Sequence, residues 1–267
     1  MASNPPSWRL TAHGRTVPVA LALVAILAVW EYAGSHVQLV TILIGTPRRL
    51  LSFIASQHQK LLADTLATGA ESLLGLVAAL LSSSLVMILC LYQPRLLNLS
   101  LSLAVWSQVV PLVTLAPLFI IIFGFGLSSK VAMAALLAFF PTFIAFARGV
   151  AAVDDDIRDL LRIYPASKTL AIFRVFVPMS LPYLTTGVRV SSTLAVIGAV
   201  VGEFNGAEQG LGLNLLIASR RIAPELTVAS ILLSAAISAI LYASVTYSEA
   251  ALMPWHRSAR TEREDDR

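Results

Sequence analysis

Few side chains in the apolar runs of this 267-residue chain could do chemistry. Glu203 closes the run VVGEF (Val200–Phe204). An ionisable group at membrane depth is by default a candidate for contact with a passing solute, since something must offset its desolvation. The same residue fits an interfacial carboxylate at a helix end, paired with Arg220 or Arg221. Arg189, near the start of that run, reads as a side chain reaching for the aqueous edge or as an anion contact. Glu71 opens an earlier run, where a carboxylate suits a helix N-terminus. Gln108, Pro111 and Thr114 could line a polar path, because proline frees a backbone carbonyl that protein or water must satisfy. A kinked, packed helix accounts for those three equally. Gly187, Ser191, Ser192, Gly198 and Gly202 read as small residues that permit close helix contact.

Other chemistry is absent from the pattern. The four histidines (His13, His36, His58, His256) are scattered without ligand spacing, and the single cysteine, Cys90, can build neither a disulfide framework nor a thiolate metal site. No G-x-x-x-x-G-K-[ST] occurs, so the chain has no phosphate-cradling loop of that kind. No nucleophile–base set is visible along any run. A membrane-embedded enzyme is therefore disfavoured, and no cofactor or metal is expected.

The elements that must carry these residues are membrane helices. Hydrophobic residues make up 57% of the chain and charged residues 13%, against about 25% charged in soluble domains, and mean hydropathy is +0.79. Uncharged runs place spans at Thr16–Trp30, Ser72–Pro94, Val131–Ala147 and Leu226–Ser248, and a run broken only by Arg189 places another at Val175–Gly202. Leu96–Ser129 is too long for one crossing of about 20 residues. It reads as a further span bearing Pro111 and Pro117, followed by a turn at Gly124–Ser129. About six transmembrane helices and an all-α, polytopic fold are expected. Arg9 and Arg15 before Val17–Trp30, with Ala33-Gly34-Ser35 after it, also fit a cleavable leader; a retained first helix fits the same residues. Leu50–Leu66 is amphipathic, as an interfacial helix or a solvated loop helix would be.

Basic residues give the orientation. With the N-terminus cytoplasmic, the inner segments hold Arg9, Arg15, Arg95, Arg148, Arg158, Arg162, Lys168, Arg174, Arg257, Arg260, Arg263 and Arg267. The outer ones hold Arg48, Arg49, Lys60, Lys130, Arg220 and Arg221. The bias places both termini inside. Residues 1–15 then form a cytoplasmic N-terminus, 16–252 the membrane domain, and 253–267 a cytoplasmic tail ending in TEREDDR, whose composition predicts disorder.

The largest inner segment runs from Arg148 to Pro178. Asp154-Asp155-Asp156 can cap a helix start. Ile157–Tyr164 reads as a helix, stopped by Pro165. Ser167 can cap a second helix, Lys168–Val177, ending before Pro178. A compact pair of this kind, with apolar faces and basic flanks, suits docking in a groove of a soluble partner; a plain re-entry loop is the alternative.

This loop resembles the EAA loop of permease subunits of binding-protein-dependent bacterial ABC importers. Asp159 stands where that pattern has Glu, Leu160 and Leu161 where it has Ala-Ala, and Pro165 where it has Gly. Ala166 and Ser167 match the small residues that follow, and Val177-Pro178 with Leu181-Pro182-Tyr183 match its close. PLVTLAPLFIIIFGFGLSSK (Pro111–Lys130), FFPTFIAFARGVAAVD (Phe139–Asp154), GVRVSSTLAVIGAVVGEF (Gly187–Phe204), GLG (Gly210–Gly212) and Thr46-Pro47 resemble signatures of the nitrate/sulfonate/taurine branch. Leu160, Leu161 and Pro165 are departures: they replace close-packing alanines and a turn glycine, and proline does not supply the positive φ that glycine allows.

The resemblance implies a type I importer permease fold (MetI-like) in the bacterial inner membrane. It also implies a second permease subunit, as homo- or heterodimer, and two ATPase subunits on the cytoplasmic face. A periplasmic or lipid-anchored solute-binding protein would serve the outer face, in a lipid bilayer and without nucleic acid. ATPase contact falls to Asp159, Leu160, Leu161, Arg162, Pro165, Ala166, Ser167 and Lys168. The path falls to Gln108, Pro111, Thr114 and Glu203. The solute would be a small anion such as nitrate, a sulfonate or taurine, or a small organic such as a vitamin precursor. An ion-coupled secondary transporter is the competing class; it would be marked by inverted repeats and mid-membrane charges, and neither is visible in the sequence.

Overall fold

The structure, a computed structural model, describes residues 12–107, 112–163, 167–204 and 206–253. All regular elements among them are helical, as the hydropathy pattern predicts. The expected N-terminal segment and tail fall largely outside the described residues, and so do Gln108, Pro111, Pro165 and Ala166.

The chain divides into two compact units. One takes the chain up to His58 together with Ile217–Ala229. In it, α1 (Ala12–His36), α2 (Gln38–Leu43) and α3 (Pro47–Ser56) are consecutive helices. Gly45, at φ 71°, turns the chain between α2 and α3. Thr46 then caps α3, its hydroxyl accepting from Arg49 N at 3.3 Å, and Pro47 fills the first turn, where its missing N–H costs nothing. Trp30 Nε1 donates to Gly45 O at 3.1 Å and Arg48 N to Glu31 Oε2 at 3.2 Å, fixing α1 against this turn. Leu50–Leu66 is not one helix: α3 ends at Ser56 and the next helix starts at His58.

The second unit takes residues 59–216 and 230–267. Its chain order is α4 (His58–Tyr92), α5 (Pro94–Ser107), a 3₁₀ turn (Leu112–Leu115), α6 (Ala116–Phe123) and α7 (Leu127–Ala151). There follow α8 (Asp155–Ile163), α9 (Lys168–Ala171), a π turn (Ile172–Phe176) and α10 (Val177–Glu203), then α11 (Leu211–Arg221) and α12 (Pro224–Leu252), of which Ile217–Ala229 belongs to the first unit. Gly124 (φ 79°) and Gly126 (φ 147°) make the turn between α6 and α7, conformations that residues bearing a Cβ avoid.

Among the described residues five stretches are long and apolar enough to cross a membrane: Gln38–Ser56, His58–Tyr92, Leu127–Ala151, Lys168–Glu203 and Pro224–Glu249. Gln38–Ser56 is interrupted at Gly45-Thr46. Leu21–His36 of α1 and Val113–Phe123 are shorter apolar stretches. The run expected to hold a third span is thus divided into α5, the 3₁₀ turn and α6. The second span starts at His58 rather than Ser72, because Asp64, Thr68 and Glu71 lie within the helix, buried and bonded, instead of marking its end. The loop helix that was expected to stop before Pro178 runs on through the π turn into α10. Pro178 lies in the first turn of α10, where its lack of an N–H is tolerated. Ser180 and Thr186 hydroxyls take up the carbonyls of Phe176 and Pro182 in this proline-bearing stretch.

The core of the unit is the antiparallel pair α7 and α10, packed through small residues. A Cβ on Gly198 would fall 2.6 Å from Ala134 Cα, and one on Gly149 would fall 2.6 Å from Ser180 Cβ. Ser191 donates to Ala138 O at 2.9 Å and lies 2.8 Å from the Thr142 hydroxyl, so both buried hydroxyls are satisfied at the crossing. Met87, Phe143, Phe146 and Leu184 fill the space around them. Leucines such as Leu81, Leu85 and Leu89 on α4 are exposed, as a lipid-facing surface requires.

Candidate functional site

Two groups of residues lie at opposite ends of the α7–α10 pair. The first is the loop from α7 to α10. Asp155 and Asp156 occupy the first turn of α8, where carboxylates complement the exposed N–H groups. Ser167 caps α9, accepting from Leu170 N at 3.3 Å. Asp159, Leu160, Ser167 and Lys168 are exposed and Leu161 is half-buried. Leu160 (53% exposed), Ile163 (74%), Leu170 (52%) and Phe173 (50%) form apolar surface on a segment rich in charge. Beneath it, Arg158 lies against the last turn of α7, and Tyr92 OH at the end of α4 donates to Thr169 Oγ1 at 3.0 Å.

The second group is a buried polar cluster where α4 and α7 begin and α10 ends. Asp64, Thr68 and Glu71 succeed one another on one face of α4, and all three are buried. Lys130 Nζ on α7 lies 3.1 Å from Glu71 Oε1, with the two side chains 10% and 5% exposed. The Glu203 carboxyl, fully buried, adjoins that of Glu71. It accepts from the Thr68 hydroxyl at 2.6 Å and from the backbone N–H of Gly212. Thr68 Oγ1 in turn accepts from Leu211 N at 2.9 Å. Asp64 accepts from Gly210 N at 3.0 Å and from Asn214 Nδ2 at 2.7 Å. The free N–H groups at the start of α11 are thereby met by side chains from α4 and α10.

The Gly-Leu-Gly sequence follows from this geometry. A side chain at Gly210 would strike the Glu203 carboxyl, and one at Gly212 the Val200 carbonyl and Glu203. Glu203 is engaged with Thr68 and Gly212 rather than with Arg220 or Arg221, which are exposed. Arg189 does not reach for solvent. It pairs with Glu249 of α12, and both side chains are largely buried. Glu71 does not sit at a helix N-terminus: α4 begins at His58 and carries it inside. Thr114 is exposed in the 3₁₀ turn between α5 and α6. Among the described residues no group of three or more His, Cys, Asp or Glu could hold a metal ion.

Residues 71–254, which include both groups but for Asp64 and Thr68, match the family described as "Binding-protein-dependent transport system inner membrane component". The chain belongs to that family. Among curated proteins the permease is 28% identical over 233 residues to a "Probable ABC transporter permease protein" of Haemophilus influenzae, covering 87% of this chain and 95% of the relative. It is 33% identical over 188 residues to the "Formylaminopyrimidine transport permease protein ThiX" of Halalkalibacterium halodurans, covering 69% and 74%. It is 31% identical over 151 residues to the "Putative aliphatic sulfonates transport permease protein SsuC" of Bacillus subtilis, covering 57% and 55%. The permease is thus a component of a binding-protein-dependent transport system, a transport subunit in the inner membrane that spans it several times. Membership implies an ATPase and a solute-binding protein as partners.

Of this cluster the sequence singled out Glu203 and Glu71; Lys130 counted only as an outer charge, and Asp64, Thr68 and Asn214 were not singled out. A signal was present: Asp64, Thr68 and Glu71 recur at helical spacing, which puts three polar groups on one face of an apolar helix. What they face could only come from the tertiary structure.

Proposed function

We propose that the permease forms half of the translocation path for a small solute. Its α8–α9 loop would be the contact through which a separate ATPase drives that path between inward- and outward-facing states. The observation that carries this is the exposed apolar surface of Leu160, Ile163 and Leu170 between two long spans. Such a surface is expensive in water unless a partner covers it. Asp159, Leu160, Leu161, Arg162, Pro165, Ala166, Ser167 and Lys168 are its contact residues. Both termini lie in the cytoplasm, and a second permease subunit completes the path. Gln108, Pro111, Thr114 and Glu203 are assigned to the path.

The solute is a small anion of the sulfonate class, in line with the sulfonate and taurine permeases. A second reading, a small pyrimidine, is favoured by the longer match to the formylaminopyrimidine permease. Ligand binding by the partner solute-binding protein separates the two. Docking is tested by the charge reversal Asp159→Lys with Arg162→Glu. Uptake is expected to fall to background and the ATPase to be lost on co-purification, with membrane insertion unchanged. Uptake at the wild-type rate would refute this placement of the contact.

A further inference from the structure

We propose that Arg158 is the positioning residue that makes α8 move as one body with the α7–α10 pair, so that force applied to the loop reaches the spans. The inference rests on the docking role proposed above, and concerns a residue outside that contact set.

One planar side chain joins three segments. Arg158 Nε donates to Val153 O at 3.0 Å, and Nη2 donates to Val150 O at 2.8 Å and to Ala151 O at 3.4 Å. These carbonyls belong to the end of α7 and the residues just after it, where the helical ladder runs out; Val150 O also accepts from Val153 N at 3.5 Å. The other side of the guanidinium faces Phe176, with Cζ 5.7 Å from the ring centre, within cation–π range. Phe176 ends the π turn, immediately before α10. Val150 and Val153 are buried, so the anchor points are fixed in the body of the unit. Asp155 lies 3.9 Å from Nε but is almost fully exposed, and adds little.

This staple ties α8 to α7 across Ala152–Asp154, so that rotation about those bonds absorbs less of a displacement. The second loop helix is held elsewhere, since Thr169 of α9 is bonded to Tyr92 of α4. The two loop helices are therefore tied to different spans, with a π turn, a common feature of functional seams in helices, leading into α10. Lysine is a poor replacement for Arg158: its three donors share one nitrogen, whereas the planar guanidinium reaches Val153 O from Nε and Val150 O from Nη2 while facing the ring.

The test uses the full complex of permease, ATPase and solute-binding protein in proteoliposomes, with Arg158→Ala, Arg158→Lys and Phe176→Leu. The ATPase is expected to co-purify at the wild-type ratio and to hydrolyse ATP, while solute moved per ATP falls about tenfold or more in Arg158→Ala. Arg158→Lys is expected to recover little of this. Phe176→Leu, which keeps the carbonyl bonds and removes the ring, gives an intermediate loss and serves should Arg158→Ala not fold. Wild-type solute-to-ATP stoichiometry in Arg158→Ala, or in Phe176→Leu if only that variant folds, would overturn the inference. So would loss of the ATPase, which would make Arg158 a docking contact. The Asp159→Lys/Arg162→Glu pair distinguishes the two levels. If it leaves ATPase association intact, the docking reading fails. If it abolishes association while Arg158→Ala couples normally, only the role of Arg158 fails.

Discussion

Replacing Lys130 by alanine is expected to lower the stability of the permease by about 3–5 kcal/mol, the cost of leaving a buried carboxylate without its partner. Lys130 and Glu71 are 3.1 Å apart and nearly inaccessible, and Glu203 adjoins Glu71. Removing the ammonium leaves neighbouring carboxyls with no cation among them in a medium that solvates neither. The cost would appear as a large fall in the thermal unfolding midpoint in detergent. Converting the pair together, Glu71→Gln with Lys130→Met, removes both charges at similar volume and is expected to restore most of the midpoint, since apolar replacements of buried pairs are often neutral. A wild-type midpoint for Lys130→Ala would show that the pair does not hold the ends of α4 and α7 together.

Placing charge on the loop's apolar surface, Leu160→Asp with Ile163→Asp, is expected to reduce uptake to background with little effect on folding. Leu160 and Ile163 are 53% and 74% exposed, so burying them in a partner is favourable by roughly 25 cal/mol per Å² of apolar area. Two carboxylates at the centre of that contact would instead be desolvated without partners. Co-purification of the ATPase and solute uptake should be lost together, while yield and unfolding midpoint stay near wild type because neither side chain packs in the core. Retention of the ATPase by this variant would move the contact off α8.

Local chemistry was legible in the sequence where one residue type has one structural use. Asp154-Asp155-Asp156 marked one helix start and Ser167 another, and Asp155 and Asp156 do occupy a first turn. Hydropathy located the apolar stretches because lipid demands helices with satisfied backbones. It failed where a helix changes character without breaking. Pro178 read as a stop, but it stands in a first turn, entered through a π turn that leaves no trace in composition. It failed again where charges were judged one span at a time. Glu71 read as a helix-start carboxylate, Lys130 as an outer charge, and Arg189 and Glu203 as edge groups or solute contacts, yet they are buried or nearly so because they meet partners across helices, Arg189 with Glu249 and Lys130 with Glu71. Arg158 counted only as positive charge on the inner side, since its acceptors are backbone carbonyls that no sequence pattern displays.

The most direct measurement is solute uptake into proteoliposomes holding the permease, with the solute-binding protein and ATP supplied, in the presence and absence of the ATPase. Uptake should require both the ATPase and hydrolysable ATP, and vanish with a non-hydrolysable analogue. Accumulation by the permease without a nucleotide-hydrolysing partner, driven by an ion gradient, would contradict the assignment of its loop as the receiver of ATP-driven motion.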